Sequence, residues 1–136
     1  MVSWLDDYLD AWNRHDAAAI GAFMTDGAVY TDVALGESHS GRLSIVRHVE
    51  HISERMSSNY ALEKRLGLST DTGYVLEWVM KGTHDRSSRR LQATGLPFSV
   101  RGVSVGELED GRIVRNTDYW NVAELLNQIR VAPALA

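Results

Sequence analysis

The sequence contains no cysteine among its 136 residues and only two prolines. Without cysteine the chain can form no disulfide framework, no thiolate metal site and no cysteine nucleophile. It also lacks a basic excess, since 14 lysines and arginines stand against 18 acidic residues and give a net charge of −4. Nucleic-acid-binding domains usually carry a basic face, so we expect no nucleic-acid partner.

Long apolar runs are also missing, and none approaches the ~18 residues of a membrane-spanning helix. The first seven residues, Met1–Asp7, are acidic and amphipathic, whereas a signal peptide has a basic region followed by an apolar one. We therefore expect no membrane partner and a soluble, cytoplasmic protein. The arginine-rich stretch 86–90 contains two serines and is predicted to be a solvated loop.

The composition, with 44% apolar and 24% charged residues, is typical of a globular chain, and we predict a single domain over residues 1–136. Apolar residues at helical spacing predict four helices, and polar residues that can cap a helix precede three of them. The first helix begins after a cap at Ser3, and the second spans Ala17–Met24 after a cap at Asp16. The third spans Leu43–Met56, and the fourth runs from a cap at Asn121 to Ile129. Pro133 is predicted to lie in a frayed tail.

Alternating and β-branched residues predict five strands: Ala28–Val33, Tyr60–Leu68, Tyr74–Thr83, Phe98–Glu109 and Arg112–Trp120. Residues 36–41 are predicted to form a loop, and Asp110-Gly111 predicts a tight hairpin between the last two strands. Gly102 and Gly106 inside a strand are typical of bulges, which curl a sheet. Helices followed by an antiparallel meander predict an α+β fold whose curved sheet encloses a cavity.

Six short segments resemble, in their order and spacing, the SnoaL-like polyketide cyclases of the NTF2-like superfamily. They are Ala11-Trp12-Asn13-x-x-Asp16, Gly82-Thr83-His84, Ala93-Thr94-Gly95, Arg101-Gly102, Asp110-Gly111-Arg112-Ile113 and Leu125-Leu126-x-Gln128-Ile129. The resemblance covers nearly the whole chain. It implies a cone in which a strongly curved antiparallel or mixed sheet wraps around the N-terminal helices and encloses a pocket. It also implies a homodimer that pairs through the outer sheet face.

Two related families suggest site residues. Tyr8 and Asp32 resemble the helix tyrosine and strand-end aspartate of ketosteroid isomerases, and Tyr119-Trp120 resembles part of their last strand. The second acid of that family would fall near Val103, and a valine donates no hydrogen bond.

Limonene-epoxide hydrolases are the second of these families. Asp118 resembles one of their catalytic aspartates, and Tyr30-x-Asp32 resembles their tyrosine–asparagine pair. Their Arg-x-Asp element is absent from residues 76–79. The chain therefore matches neither specialised family in full, and the fold alone hosts enzymes and pure binding modules alike.

Strand alternation predicts which side chains face the cavity. Two sets share a face: Asn116, Asp118 and Trp120 on one strand, and Leu76, Trp78 and Met80 on another. If both faces line the cone, the pocket is apolar and aromatic and suits a flat hydrophobic ligand. Burial there would raise the pKa of Asp118 toward the range in which a carboxyl group acts as an acid–base catalyst.

We therefore predict Asp118 and Asp32 as an acid–base pair, with Tyr8 or Tyr30 donating a hydrogen bond to a developing enolate oxygen. Predicted substrate contacts are Trp12, His48, Trp78, Met80, His84, Phe98, Val103, Asn116 and Trp120. The structural alternatives are that Asp32 only ends a strand and that Asp118 forms an ion pair with an arginine, Arg101 or Arg115.

His48 and His51 are spaced to offer two metal ligands from one helix, but no third ligand follows at a recognisable interval. We predict no metal and no cofactor. The remaining histidines, His15 and His39, together with His51, are predicted to lie in loops or in solvent.

The leading hypothesis is a cofactor-independent acid–base enzyme that acts on a small hydrophobic cyclic or polyketide-like molecule, by cyclisation, isomerisation or epoxide opening. The alternatives are a non-catalytic ligand-binding module and a dimerisation module. Two carboxyl groups and two tyrosines on one predicted pocket face favour the enzyme, because burying carboxyl groups without a purpose is costly.

Overall fold

Helices and one mixed sheet make up the part of the chain that the computed structural model describes, residues 3–130. The helices are α1 (Trp4–Asn13), α2 (Ala17–Ala22), α3 (Arg42–Arg55) and α4 (Val122–Gln128). The strands are β1 (Met24–Asp32), β2 (Glu37–Ser40), β3 (Ala61–Ser69), β4 (Gly73–Thr83), β5 (Pro97–Glu109) and β6 (Arg112–Trp120). The predicted tail at Pro133 lies outside these residues. Within them, no helix is long and apolar enough to cross a membrane.

The six strands lie in the order β2-β1-β6-β5-β4-β3. β1 runs parallel to β6, and all the other neighbours are antiparallel. Helix α1 lies against β3, and α3 lies against β1 and β2. The sheet is open, with β2 and β3 as its edges, and the α+β prediction is confirmed.

Polar side chains cap α1, α2 and α4 at the predicted positions, whereas α3 begins after Gly41, which makes no side-chain cap. Ser3 Oγ accepts a hydrogen bond from the backbone N–H of Leu5 at 3.0 Å, and Asp16 Oδ1 accepts one from Ala19 at 3.0 Å. Asn121 caps α4 in the same way. These bonds satisfy N–H groups that have no partner within the helix, which is why the helices begin there.

The hairpin between β5 and β6 is also present as predicted. Asp110 has φ 50° and Gly111 has φ 78°. Two successive left-handed residues form the type I′ turn, whose twist matches that of the flanking strands.

Two predictions were wrong in the N-terminal half of the chain, one on where the first strand begins and one on residues 36–41. α2 ends at Ala22, so β1 begins at Met24 and not at Ala28. The predicted loop 36–41 contains the edge strand β2, which pairs with β1. β2 reads Glu-Ser-His-Ser, without the apolar alternation that predicts a strand, because an edge strand needs no apolar face to be held by backbone pairing.

The predicted bulges at Gly102 and Gly106 are also absent. The β4–β5 register runs without a shift from Gly73 to Thr83, and β5 is irregular only between Glu107 and Leu108. Both glycines instead make room for aromatic rings of β4. A Cβ atom would lie 2.2 Å from Trp78 Cη2 at Gly102 and 2.2 Å from a Tyr74 ring carbon at Gly106.

Candidate active site

Three rows of side chains cross the inner face of the sheet, because the register places them side by side. The first row is Glu37, Asp32, Asp118, Ser104 and Leu76. The second row is His39, Tyr30, Asn116, Gly106 and Tyr74, and the third is Trp120, Gly102 and Trp78. The rows therefore bring carboxyl groups, hydroxyl and amide groups, and indoles into adjacent layers.

A cavity opens between this face and the helices α1 and α3. The centre of a water-sized sphere can reach about 90 Å³ inside it, which is several times the space that one water molecule needs. Nine predicted site residues line it: Tyr8, Trp12, Tyr30, Asp32, His48, Trp78, Met80, Asp118 and Trp120. Most of the remaining wall is aliphatic, so a bound molecule would meet an apolar surface with few polar groups.

Asp118 lies at the floor of the cavity and is only 7% exposed. Its Oδ1 accepts hydrogen bonds from Ser104 Oγ at 2.6 Å and Asn116 Nδ2 at 2.8 Å, and its Oδ2 accepts one from the Tyr30 hydroxyl. Burial raises the pKa of Asp118 to about 6, although these three bonds lower it, and nearby Asp32 raises it further. Desolvation outweighs the donors, so this carboxyl group exchanges its proton close to neutral pH.

The ion-pair alternative for Asp118 was wrong. Within residues 3–130, no arginine or lysine forms a salt bridge with it. Arg101 and Arg115 are exposed, and alternation along β5 and β6 turns both away from the cavity.

Two aromatic donors hold the groups that hydrogen-bond to Asp118. The Tyr74 hydroxyl donates to Asn116 Oδ1 at 2.5 Å, which leaves the amide nitrogen pointing at the carboxylate. The Trp78 indole N–H donates to Ser104 Oγ at 2.9 Å, which leaves the serine hydroxyl hydrogen free for Asp118. Gly102 and Gly106 leave the space that the Trp78 and Tyr74 rings occupy, so both glycines are needed for these hydrogen bonds.

Asp32 is the second carboxyl group of the cavity and is 6% exposed. Each of its oxygens lies 3.1 Å from the Trp120 indole nitrogen, and Oδ1 also accepts from the backbone N–H of Leu35 at 3.0 Å. The side chain therefore both ends β1 and faces the cavity, and its catalytic role stays a prediction.

The two tyrosines are buried beside these acids. Burial raises the pKa of both Tyr8 and Tyr30. Both hydroxyls are therefore protonated near neutral pH and can donate hydrogen bonds. Tyr30 already donates to Asp118, whereas Tyr8 projects from α1 on the opposite wall.

His48 reaches the cavity from α3. Burial, followed by the neighbouring His39 and His51, lowers its pKa to about 4, so the imidazole is neutral at pH 7 and can accept a hydrogen bond. The prediction that His39 lies in a loop or in solvent was wrong. It lies on β2 and stacks on His48 with ring centroids 4.2 Å apart.

Four predicted contacts do not line the cavity. His84 is buried at the end of β4, where Nδ1 lies 3.0 Å from Thr94 Oγ1. Phe98 packs in the core beside Gly82. Because side chains alternate along β5, Val103 lies on the face opposite that of Ser104. Asn116 does not line the cavity, and its side-chain amide donates a hydrogen bond to Asp118.

Sequence reasoning missed Ser104 and Tyr74, which complete the network around Asp118. One signal for Ser104 was present, since Gly102-x-Ser104-x-Gly106 places three small residues on one strand face. Small residues at these positions indicate that large side chains from a neighbouring strand lie over this strand. The sequence does not identify the crossing rings.

A model of the SnoaL-like domain family matches residues 5–116. A solved protein with a ketosteroid isomerase-like fold from Catenulispora acidiphila, in complex with trimethylamine, is 17% identical, with a TM-score of 0.83 over 97% of this chain and 95% of that one. A proposed polyketide cyclase from Xanthomonas campestris is 25% identical, with a TM-score of 0.78 over 92% and 93%. A proposed hydroxylase from Streptomyces galilaeus is 22% identical, with a TM-score of 0.78 over 95% and 80%. No curated protein matches the chain significantly.

Proposed function

This chain belongs to the SnoaL-like domain family, and on that premise we propose that it is a cofactor-independent acid–base enzyme for a small hydrophobic cyclic or polyketide-like molecule. The observation that carries the proposal is Asp118, a buried carboxyl group with a pKa of about 6 at the floor of an apolar cavity. A base of that pKa is substantially ionised at neutral pH and still returns its proton readily.

The proposed reaction begins when the Asp118 carboxylate removes a proton from a carbon beside a carbonyl group. The Tyr8 hydroxyl donates a hydrogen bond to the developing enolate oxygen. In a cyclisation, that carbon attacks a second carbonyl group of the same molecule, and Asp118 returns its proton to the new alkoxide. In an isomerisation, the proton returns to a different carbon. In both reactions the proton that Asp118 removes is returned to the product, so no external reagent is needed.

The indoles of Trp12, Trp78 and Trp120 are suited to hold a flat ring against the apolar wall. They also provide the binding assay, because a ligand in the cavity would change tryptophan fluorescence. Asp32, held by Trp120, serves in this proposal as the second carboxyl group, whose negative charge favours the protonated form of Asp118.

The experiment uses 2-tetralone, a bicyclic ketone with acidic hydrogens beside its carbonyl group. Its binding is followed by tryptophan fluorescence and its hydrogen–deuterium exchange in D2O by proton NMR. We expect the wild-type protein to accelerate exchange and Asp118→Asn to abolish that acceleration while binding persists. The control is Asp71→Asn, which removes one exposed carboxyl group in a turn and leaves the acceleration intact. Equal acceleration by wild type and Asp118→Asn would refute the assignment.

A ligand-binding module without turnover is the second candidate. It is favoured by the internal hydrogen bonds of Asp118, since a carboxylate that accepts from Ser104, Asn116 and Tyr30 has a purely structural explanation. That function predicts saturable fluorescence changes with several flat ligands, exchange at the buffer rate, and the same affinities in wild type and Asp118→Asn.

We also propose a homodimer through the outer face of the sheet, where Val105 and Tyr119 are 42% and 48% exposed. Val103 lies directly across from Tyr119 on that face. Sedimentation of the wild type over a dilution series should give a dimer, and Tyr119→Glu should give a monomer. A wild-type monomer at every concentration would contradict this assembly.

A further inference from the structure

A second cluster of polar side chains lies outside the network around Asp118 and shares one residue, His48, with the cavity wall. Glu37 and His39 stand two residues apart on β2 and therefore point to the same face. His48 reaches them from α3. One ligand atom of each residue lies within 4.8 Å of the other two. Glu37 Oε2 is 3.4 Å from His39 Nε2 and 4.0 Å from His48 Nδ1.

The tertiary structure alone assembles this cluster. β2 places His39 across from Tyr30 and Glu37 across from Asp32, so the cluster extends the two polar rows of the inner face over the edge strand. The histidine pair that the helix spacing suggested, His48 with His51, is replaced by a pair drawn from two different elements.

One ring nitrogen of the cluster makes no hydrogen bond to the described part of the chain, although Glu37 Oε2 lies 3.4 Å from it. His39 Nε2 is fully buried and makes no hydrogen bond within residues 3–130. A buried ring nitrogen that makes no hydrogen bond is unfavourable, and a bound metal ion would engage its lone pair. The His48 side chain is 10% exposed, so it is held beside His39 with little access to water.

We propose that Glu37, His39 and His48 bind one divalent transition-metal ion, with Zn2+ as the leading candidate. Two imidazole nitrogens and one carboxylate oxygen are a donor set that suits zinc. Donors of a tetrahedral zinc site lie roughly 3.3–3.5 Å apart. The Glu37–His39 pair already has that spacing, whereas the His48 nitrogen, 4.0 Å from Glu37 and within 4.8 Å of His39, must move closer to both as the stacked rings turn toward the ion.

Three protein ligands leave a fourth position open, as in zinc sites that hold a water or a substrate oxygen. Because His48 also lines the cavity, the ion would lie next to the cavity wall. The ion would also join β2 to α3 and thereby stabilise the fold through binding. The proton transfer assigned to Asp118 needs no ion, so the two proposals stand or fall separately.

The test uses the full chain after removal of metals by chelation. Equilibrium dialysis against Zn2+ with metal analysis should give one ion per chain, and Co2+ should give visible absorption of a site with fewer than six ligands. His39→Ala, His48→Ala and Glu37→Gln should each weaken Zn2+ binding by about tenfold or more. His51→Ala is the matched control, since it removes a neighbouring imidazole of α3, and it should bind Zn2+ as the wild type does.

Glu37→Gln provides the variant least prone to folding defects, because Glu37 is half exposed and the amide keeps its shape. Equal Zn2+ binding by wild type and His39→Ala would overturn the proposal. Loss of binding in His51→Ala with retention in His39→Ala would place the ion on the helix pair and would overturn it as well. Failure of the wild type to bind either Zn2+ or Co2+ would have the same meaning.

Discussion

Asp118→Asn should change the pH dependence of stability in a direction that the structure specifies. The folded protein holds the Asp118 proton with a pKa of about 6, against an ordinary value of 3.8. Between these values the folded chain is protonated at this position while the unfolded chain is ionised. The folded state therefore binds more protons, and its free energy of unfolding falls as the pH rises through this window. A difference of about two pH units corresponds to about 3 kcal/mol.

The stability that Asp118 contributes is thus fully present below pH 3.8 and is lost as the pH rises through about 6. Asparagine does not ionise there, so the variant lacks this loss. We expect the free energy of unfolding of the wild type to fall by about 3 kcal/mol relative to Asp118→Asn across the window. The substitution also changes the hydrogen bond to Tyr30, which shifts the free energy of unfolding by the same amount at every pH. Only the change of the difference with pH therefore reports the ionisation of Asp118.

Urea unfolding followed by tryptophan fluorescence, repeated at several pH values, measures this difference. Asp71→Asn accounts for the general effect of removing one negative charge. A difference between wild type and Asp118→Asn that is constant across the window would refute the reasoning. A difference of opposite slope would show that the three donors outweigh desolvation.

Three further predictions concern the same site. Gly102→Ala should lower the free energy of unfolding by about 1–3 kcal/mol, because the added Cβ would clash with the Trp78 ring. The control is Gly27→Ala, whose Cβ meets nothing within 4 Å and which should be tolerated. Urea unfolding measures both variants, and equal losses of stability would contradict the ring contact. Ser104→Ala removes a hydrogen bond that lowers the pKa of Asp118 and should raise that pKa by about one to two pH units, measured by carbon NMR of the carboxyl group; an unchanged pKa would remove the serine from the network. The rate of 2-tetralone exchange should rise as the pH passes through about 6, since the base form of Asp118 is required; a rate that falls with pH there would indicate an acid.

The elements of this fold could largely be predicted from the sequence, because their signals are local. Side-chain caps at Ser3 and Asp16 start helices wherever a polar oxygen precedes an apolar stripe. Alternation also predicted that Asp118 and Trp120 share a face of β6, and that Trp78 lies on the cavity-facing side of β4. Each of these inferences needs only residues within a few positions of one another.

The site itself depended on strand pairing, which joins residues far apart in the chain. Tyr30 and Asp118 are 88 positions apart, and nothing local indicates that β1 lies parallel to β6. The polar strand β2 had no hydrophobic signal, so His39 was expected in solvent, although pairing with β1 brings it against His48. The glycines of β5 had a visible pattern, but its meaning came only from the aromatic rings of β4. Residue types and faces were thus determined locally, whereas the register across the sheet decided which groups share a proton, a hydrogen bond or, as proposed, an ion.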